Sequence, residues 1–244
     1  MKIGIAGTGK MGTAIAGRLK SLGHEVLVWN RTAAKANAAI QAGATWAATP
    51  KDLLQQSDIV ICLLTNEQAL DDVYGSPQGL LAAVGQGKLI IEMSTVSPDK
   101  QTEMAKRVAQ IGAKYLECPV GGSIGPAKEG KLLGFVGGRA EDLALAQPVL
   151  EQLCRRIEHI GDYGAGSMMK LASASMGTGG MSSDPSATDA STDAATNAAT
   201  AGREVGGGVV FLHAAINVVV QAETGVEPGR QGEHLVGRTS LEAR

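Results

Sequence analysis

Short, uninterrupted runs of Val, Ile and Leu recur through the first two-thirds of the chain, and this repeat limits the possible folds more than any other feature. The runs are Lys2–Ala6, Glu25–Trp29, Ile59–Leu64, Lys88–Met93, Lys114–Cys118 and Leu132–Val136, with Arg156–Ile160 as a shorter last member. A strand with one wet face alternates apolar and polar residues. A continuous apolar run needs cover on both faces, as strands of a parallel sheet have. The segments between the runs carry helical periodicity. Residues 10–22 place Met11, Ala14, Ile15, Leu19 and Leu22 on one face and stop at Gly23, a residue suited to a helix C-terminus. Residues 33–42 are alanine-rich and end at Gly43. Residues 98–111 start with Ser97 as N-cap and Pro98 in the first turn, and end before Gly112. Residues 140–154 form a further amphipathic helix, with Pro148 as a point of kinking. Strand and helix in alternation predict an α/β fold, a doubly wound and mostly parallel sheet, over residues 1–163.

The first run leads straight into Gly7-Thr8-Gly9-Lys10-Met11-Gly12, a G-x-G-x-x-G loop. Gly7 allows the tight turn, Gly9 lets a pyrophosphate approach the backbone, and Gly12 lets the helix pack closely on the strand. The helix N-terminus adds unpaired N–H groups and partial positive charge. Alone the motif is weak. Between a strand and an amphipathic helix it predicts dinucleotide binding of the Rossmann type. The end of the second run selects the cofactor. An acidic residue there would hold the ribose 2′-hydroxyl of NAD. The chain has Asn30-Arg31-Thr32 instead. Arg31 can pair in bidentate fashion with a 2′-phosphate while Asn30 and Thr32 donate hydrogen bonds, so NADP(H) is expected ahead of NAD(H). The bland alternative for Arg31 is a solvated loop arginine.

Composition closes off other classes. A net charge of −2, with 19% charged and 44% apolar residues, fits neither a disordered chain nor a polyanion binder. No basic patch or basic amphipathic helix points to nucleic acid or a membrane surface. The longest apolar run, Val209–Val220, is broken by His213 and Asn217 and is too short to span a bilayer. Cys62, Cys118 and Cys154 are odd in number and far apart, which fits a reducing cytoplasm rather than a disulfide framework. His24, His159, His213 and His234 are scattered, so no metal site is expected. The strand pattern begins at Lys2, leaving no room for a signal peptide. His24 and His159 read as surface or edge residues.

Four further blocks follow the glycine loop in order: Leu63-Leu64-Thr65-Asn66; Met93-Ser94-Thr95-Val96-Ser97-Pro98; Cys118-Pro119-Val120-Gly121-Gly122-Ser123-Ile124-Gly125-Pro126-Ala127; and Gly164-Ala165-Gly166-Ser167-Met168-Met169-Lys170-Leu171. Together the five resemble the β-hydroxyacid dehydrogenase family, which includes 3-hydroxyisobutyrate dehydrogenases, tartronate semialdehyde reductases and glyoxylate/succinic semialdehyde reductases. The likeness covers about residues 1–171, and Asn30-Arg31-Thr32 looks most like the NADPH-preferring reductases. The resemblance implies that Leu64 and Asn66 line the adenosine-ribose and pyrophosphate side, that Thr95 lies near the nicotinamide, and that Ser94 neighbours it at the cleft mouth. It implies that Gly121, Gly122 and Ser123 cradle the substrate carboxylate and that Lys170 protonates the developing alkoxide. The substrate would be a small hydroxy acid, or a carboxylate-bearing aldehyde or keto acid. The residues themselves agree in part. A Gly-Gly-Ser turn offers consecutive N–H groups and a hydroxyl to a carboxylate, and a desolvated lysine can act as an acid near neutral pH. Ser94-Thr95 ahead of Ser97-Pro98 can equally be strand-end and capping chemistry, and Gly121-Gly122 a turn without a ligand.

The chain departs from the family pattern in two ways near the site. The family commonly has Ser-Gly-Gly after Pro-Val, where this chain has Gly121-Gly122-Ser123. Many members carry asparagine four residues after the lysine, where this chain has Ala174. After residues 164–171, the start of the inter-domain helix, composition changes. Residues 172–208 hold 9 Ala, 7 Gly, 6 Ser and 5 Thr among 37 positions, with no Leu, Ile or aromatic residue. Such a stretch buries too little apolar surface to offset its ordering entropy and reads as a low-complexity linker. Residues 209–244 read as a short tail with one ring, Phe211. In the family a long helical domain stands here, closes the site and builds a dimer. A homodimer is therefore expected only if a C-terminal domain forms. The runner-up reading is an NADP(H)-binding module without turnover.

Overall fold

The computed structural model describes residues 1–177. In chain order these form β1 (Lys2–Ala6), α1 (Lys10–Ser21), β2 (Glu25–Trp29), a 3-10 turn at Ala33–Ala36 running into α2 (Asn37–Gln41), and β3 (Thr45–Trp46). Then come α3 (Pro50–Gln56), β4 (Ile59–Cys62), α4 (Glu67–Gly75), β5 (Leu89–Glu92), α5 (Pro98–Gln110), β6 (Lys114–Glu117) and β7 (Val120–Gly121). The last are α6 (Ile124–Glu129), β8 (Leu132–Gly137), α7 (Ala140–Leu153), β9 (Cys154–Gly161) and α8 (Ala165–Gly177).

The strands join in the order β3-β2-β1-β4-β5-β6-β8-β7, with β9 also on β8. All pairings from β3 to β6 are parallel, while β8 runs antiparallel to β6 and β7 and parallel to β9. The mostly parallel, doubly wound fold expected from the apolar runs is therefore present. Alternation along each strand sends neighbours to opposite faces. Ile59 and Ile61 join Ile15, Leu19 and Leu150 of α1 and α7. Val60 and Cys62 join Leu53, Leu70, Tyr74 and Met104 of α3, α4 and α5. Aliphatic side chains fill both layers, and among the rings of the described residues only Tyr74 and Tyr115 rank with the largest fully buried side chains. The shortage of aromatics is thus compatible with a dense core.

Several boundaries differ from expectation for identifiable reasons. The segment 33–42 is a 3-10 turn followed by a five-residue helix. α7, by contrast, runs Ala140–Leu153 with Pro148 inside it, within one residue of the expected span. α8 extends to Gly177, six residues into the stretch read as linker from residue 172. Alanine has the highest helix propensity, and a helix already nucleated upstream extends at little cost. The rest of that linker, and the tail 209–244, lie outside the described residues. No helix among the described residues is long and apolar enough to cross a membrane, and none of their His, Cys, Asp and Glu side chains group to hold a metal.

Candidate active site

Parallel pairing puts the C-terminal ends of five strands in one row. Trp29, Ala6, Cys62, Glu92 and Glu117 are successive partners across β2, β1, β4, β5 and β6. The chain leaves β1 in one direction for β2 and in the other for β4, and ligands of open α/β sheets bind at such a switch point.

The glycine loop occupies that point. Gly7 has φ +101°, and a methyl group there would overlap the Leu63 carbonyl oxygen. A methyl on Gly12 would overlap the Gly7 carbonyl. Both glycines are therefore demanded by the protein's own packing. Gly9 is different: a Cβ there meets nothing within 4 Å. Gly9 N-caps α1 with no side-chain hydrogen bond, leaving the helix's first N–H groups facing open space. Thr8 is 3% exposed, and its Oγ1 has no hydrogen-bond partner among the described residues. A cradle with room for more than a Cβ, an uncapped helix start and an orphaned buried hydroxyl together fit a bound pyrophosphate.

A cavity of about 440 Å³ begins at this loop and gathers half of the expected cofactor residues: Gly7, Gly9, Asn30, Arg31, Thr32 and Leu64. Arg31 is 77% exposed and lies 3.8 Å from Asp72, a long, wet ion pair that contributes little stability. Lys35, one turn further on, lines the same cavity and adds a second cation. Sequence reading missed it, although its place four residues after Arg31 in an alanine-rich helical pattern was a usable signal. Asn30 works on the loop itself: Thr8 N–H donates to its Oδ1 (3.0 Å) and its Nδ2 donates to the Thr32 carbonyl (3.0 Å). It shapes the loop from the cavity wall. Lys10 is exposed and, with Thr8, Thr13, Lys35, Ile124 and Lys128, lines an adjoining groove. Met11 packs against the core.

Two expected residues have other tasks. Asn66 caps α4, its Oδ1 accepting from Ala69 N–H (2.9 Å), and it is not among the residues lining the cavity. Ser94 is 3% exposed, and its hydroxyl accepts from Leu64 N–H (2.6 Å). It ties two strand ends together from below the cleft. Both placements have one cause: a hydroxyl or amide at a strand end serves backbone N–H groups as well as it serves ligands. Thr95 is exposed at that same edge.

On the far side, Gly121 ends β7, and Gly122 (φ +123°) and Ser123 are exposed ahead of α6. Ser123 makes no capping bond with its side chain. The next residue, Ile124, shares the groove of Gly9 and Lys10, so this turn neighbours the glycine loop. Lys170 lies half-buried on α8, which packs on β8, β9 and α5. The helix starts beside the strand-end row: Gly164 abuts Pro98, three residues after Thr95, and Thr102 Oγ1 donates to the Tyr163 carbonyl (3.2 Å).

Two buried carboxylates complete the row, and sequence reading missed both. Glu92 and Glu117 are each 0% exposed. Tyr74 donates to Glu92 Oε2 (2.7 Å) and Ser94 N–H to Oε1 (2.9 Å). Burial pushes the Glu92 carboxyl up to about 7, against the pull of its hydrogen bonds to Ser94 and Tyr74. An acid raised in the folded state binds its proton there while the unfolded chain has released it. Stability therefore falls as pH rises from about 4.5 to about 7 and then levels off, with this group accounting for on the order of 3 kcal/mol. Glu92→Gln is expected to flatten that slope in urea unfolding measured from pH 4.5 to 8. Identical slopes in both proteins would contradict the assignment.

With the geometry in view, comparison with known proteins is direct. Residues 2–161 match the NAD-binding domain of 6-phosphogluconate dehydrogenase, and the chain belongs to this family. It is 36% identical over 169 residues to a 3-hydroxyisobutyrate dehydrogenase of Pseudomonas aeruginosa, covering 69% of this chain and 57% of the relative. It is 33% identical over 170 residues to an NAD-dependent L-serine dehydrogenase of the same organism, covering 70% and 57%. Among solved structures it resembles Mycobacterium tuberculosis 3-hydroxyisobutyrate dehydrogenase with L-serine, at TM-score 0.66 and 28% identity, covering 72% of this chain and 62% of that one. The likeness to 3-hydroxyisobutyrate dehydrogenases read from the five motifs is borne out. The chain spans little more than half the length of these curated relatives.

Proposed function

We propose that this chain forms the cofactor-binding and proton-donating part of an NADP(H)-dependent oxidoreductase. Its substrate would be a small 3-hydroxy acid, or in reverse a carboxylate-bearing aldehyde or keto acid. The observation that carries the reading is the gathering, along one sheet edge, of an open glycine cradle, a cationic cavity end and a Gly-Gly-Ser turn, with the start of the lysine-bearing helix beside them.

The bound nicotinamide supplies the hydride. Gly9 and the first N–H groups of α1 hold the pyrophosphate, and Thr8 Oγ1 gains a partner there. Arg31 and Lys35 hold the 2′-phosphate with Thr32, which favours NADP(H); the serine dehydrogenase relative is NAD-dependent by its own name. Gly122 N–H and the Ser123 hydroxyl bind the substrate carboxylate. Lys170 holds a proton at Nζ and delivers it to the carbonyl oxygen as negative charge develops; in reverse it takes the proton of the hydroxyl. The names of the two P. aeruginosa relatives denote 3-hydroxy carboxylates, and that shared chemistry supports the substrate class. A homodimer belongs to this reading only where a C-terminal domain forms.

The test is consumption of NADPH by the full chain with glyoxylate, succinic semialdehyde and tartronate semialdehyde. Turnover with any of them supports the reading. Saturable NADPH binding with none of them turned over would leave a cofactor-binding module instead.

A further inference from the structure

Glu117 lines neither the cavity nor the groove at the glycine loop, yet it is a fully buried carboxylate that pairs with no cation among the described residues. The hydrogen bonds of its side chain run to one segment almost fifty residues away, the start of α8. Gly164 N–H (2.7 Å) and Gly166 N–H (2.8 Å) donate to Oε1, and the Ser167 hydroxyl donates to Oε2 (2.7 Å). The carboxylate therefore caps the start of α8, where unpaired N–H groups and the helix dipole favour a negative charge. Burial pushes its carboxyl up, and the bonds from Ser167, Gly166 and Gly164 oppose that shift.

The surroundings are cut to this contact. A methyl on Gly137 would overlap Glu117 Oε1, and one on Gly166 would overlap the Phe135 carbonyl. Gly137 thus leaves room for the carboxylate, and Gly166 lets α8 close onto β8. Gly166, in the first turn of α8, is a poor helix former, so that turn needs an external anchor. Lys170 lies four residues after Gly166, one turn up the same face. A tilt or fray at the first turn displaces the lysine directly.

We propose that Glu117 is a positioning residue: through the Gly164, Gly166 and Ser167 contacts it fixes α8 so that Lys170 stands at the sheet edge. The proposal rests on Lys170 as proton donor, but its first test does not need turnover. In Glu117→Ala, amide hydrogen exchange in residues 166–171 is expected to quicken at least tenfold relative to β1 and β4, with the glycine loop unchanged. Should Glu117→Ala fail to fold, Glu117→Gln keeps the shape and loses the charge facing the helix, and exchange there is expected to quicken about threefold or more. Unchanged exchange in the variant that folds overturns the proposal.

The second test uses the active chain. Glu117→Ala is expected to lower kcat at least tenfold with the NADPH KM unchanged, and to have no further effect in a Lys170→Ala background. An equal loss of kcat in both backgrounds would show that Glu117 acts by another route and overturns it. Absence of turnover in the unmodified chain defeats the proposed function alone, because the exchange result still decides whether Glu117 holds α8.

Discussion

Gly12→Ala is expected to destabilise the domain by about 3 kcal/mol or more, while Gly9→Val, in the same loop, leaves stability within about 1 kcal/mol. The two glycines look equivalent in the motif but face different things. A methyl at position 12 runs into the Gly7 carbonyl, which is backbone held by a strand end and cannot retreat. Side-chain bulk at position 9 meets open space, and its backbone (φ −68°, ψ −174°) is extended and open to any residue. That space is where the pyrophosphate is placed, so Gly9→Val is expected to weaken NADPH binding about 100-fold, roughly 2.7 kcal/mol. Thermal unfolding and cofactor titration of both variants check this. Equal loss of stability in the two variants would contradict the division of roles, as would undiminished NADPH binding by Gly9→Val.

Lys170→Ala carries the second large effect. If Lys170 Nζ provides the proton, its removal is expected to lower kcat by roughly 10²- to 10⁴-fold, the usual contribution of a general acid. Cofactor affinity is expected to stay put, because Lys170 is not among the residues lining the cavity at the glycine loop. α8 itself persists, since its anchoring contacts come from Gly164, Gly166 and Ser167 rather than from position 170. Steady-state kinetics with separate NADPH binding decides the matter. Full activity in the variant would remove the lysine from the mechanism.

The large features of the fold were legible because each rests on a strong local rule. Continuous apolar runs marked β1, β2, β4, β5, β6 and β8 to within two residues. Ser97, Pro98 and Gly112 bracketed α5, and Ser97 Oγ does accept from Lys100 N–H (3.3 Å). Short elements escaped. β3 and β7 are two residues each, and α6 is six, too little for a period to show.

At the site, glycines were legible and polar side chains were ambiguous. Ser94 and Asn66 sit at strand ends, where binding a ligand and capping a backbone N–H call for the same residue types, and both are used as caps. Glu92 and Glu117 escaped for the opposite reason. Each lies next to last in an apolar run, ahead of Met93 and Cys118, and nothing in the run itself sets it apart from a solvated charge at a strand end. Only the tertiary fold turns them inward, where one braces the cofactor edge through Ser94 and the other braces the start of α8.

The central claim, a glycine-loop site whose cationic end selects NADP(H), meets its most direct test in parallel titrations with NADPH and NADH. Trp29 lines the cavity and its fluorescence offers a readout. Saturable binding of NADPH at least about tenfold tighter than NADH, with the gap closing in Arg31→Ala, is the expected result. Tighter binding of NADH, or saturation by neither, would contradict it.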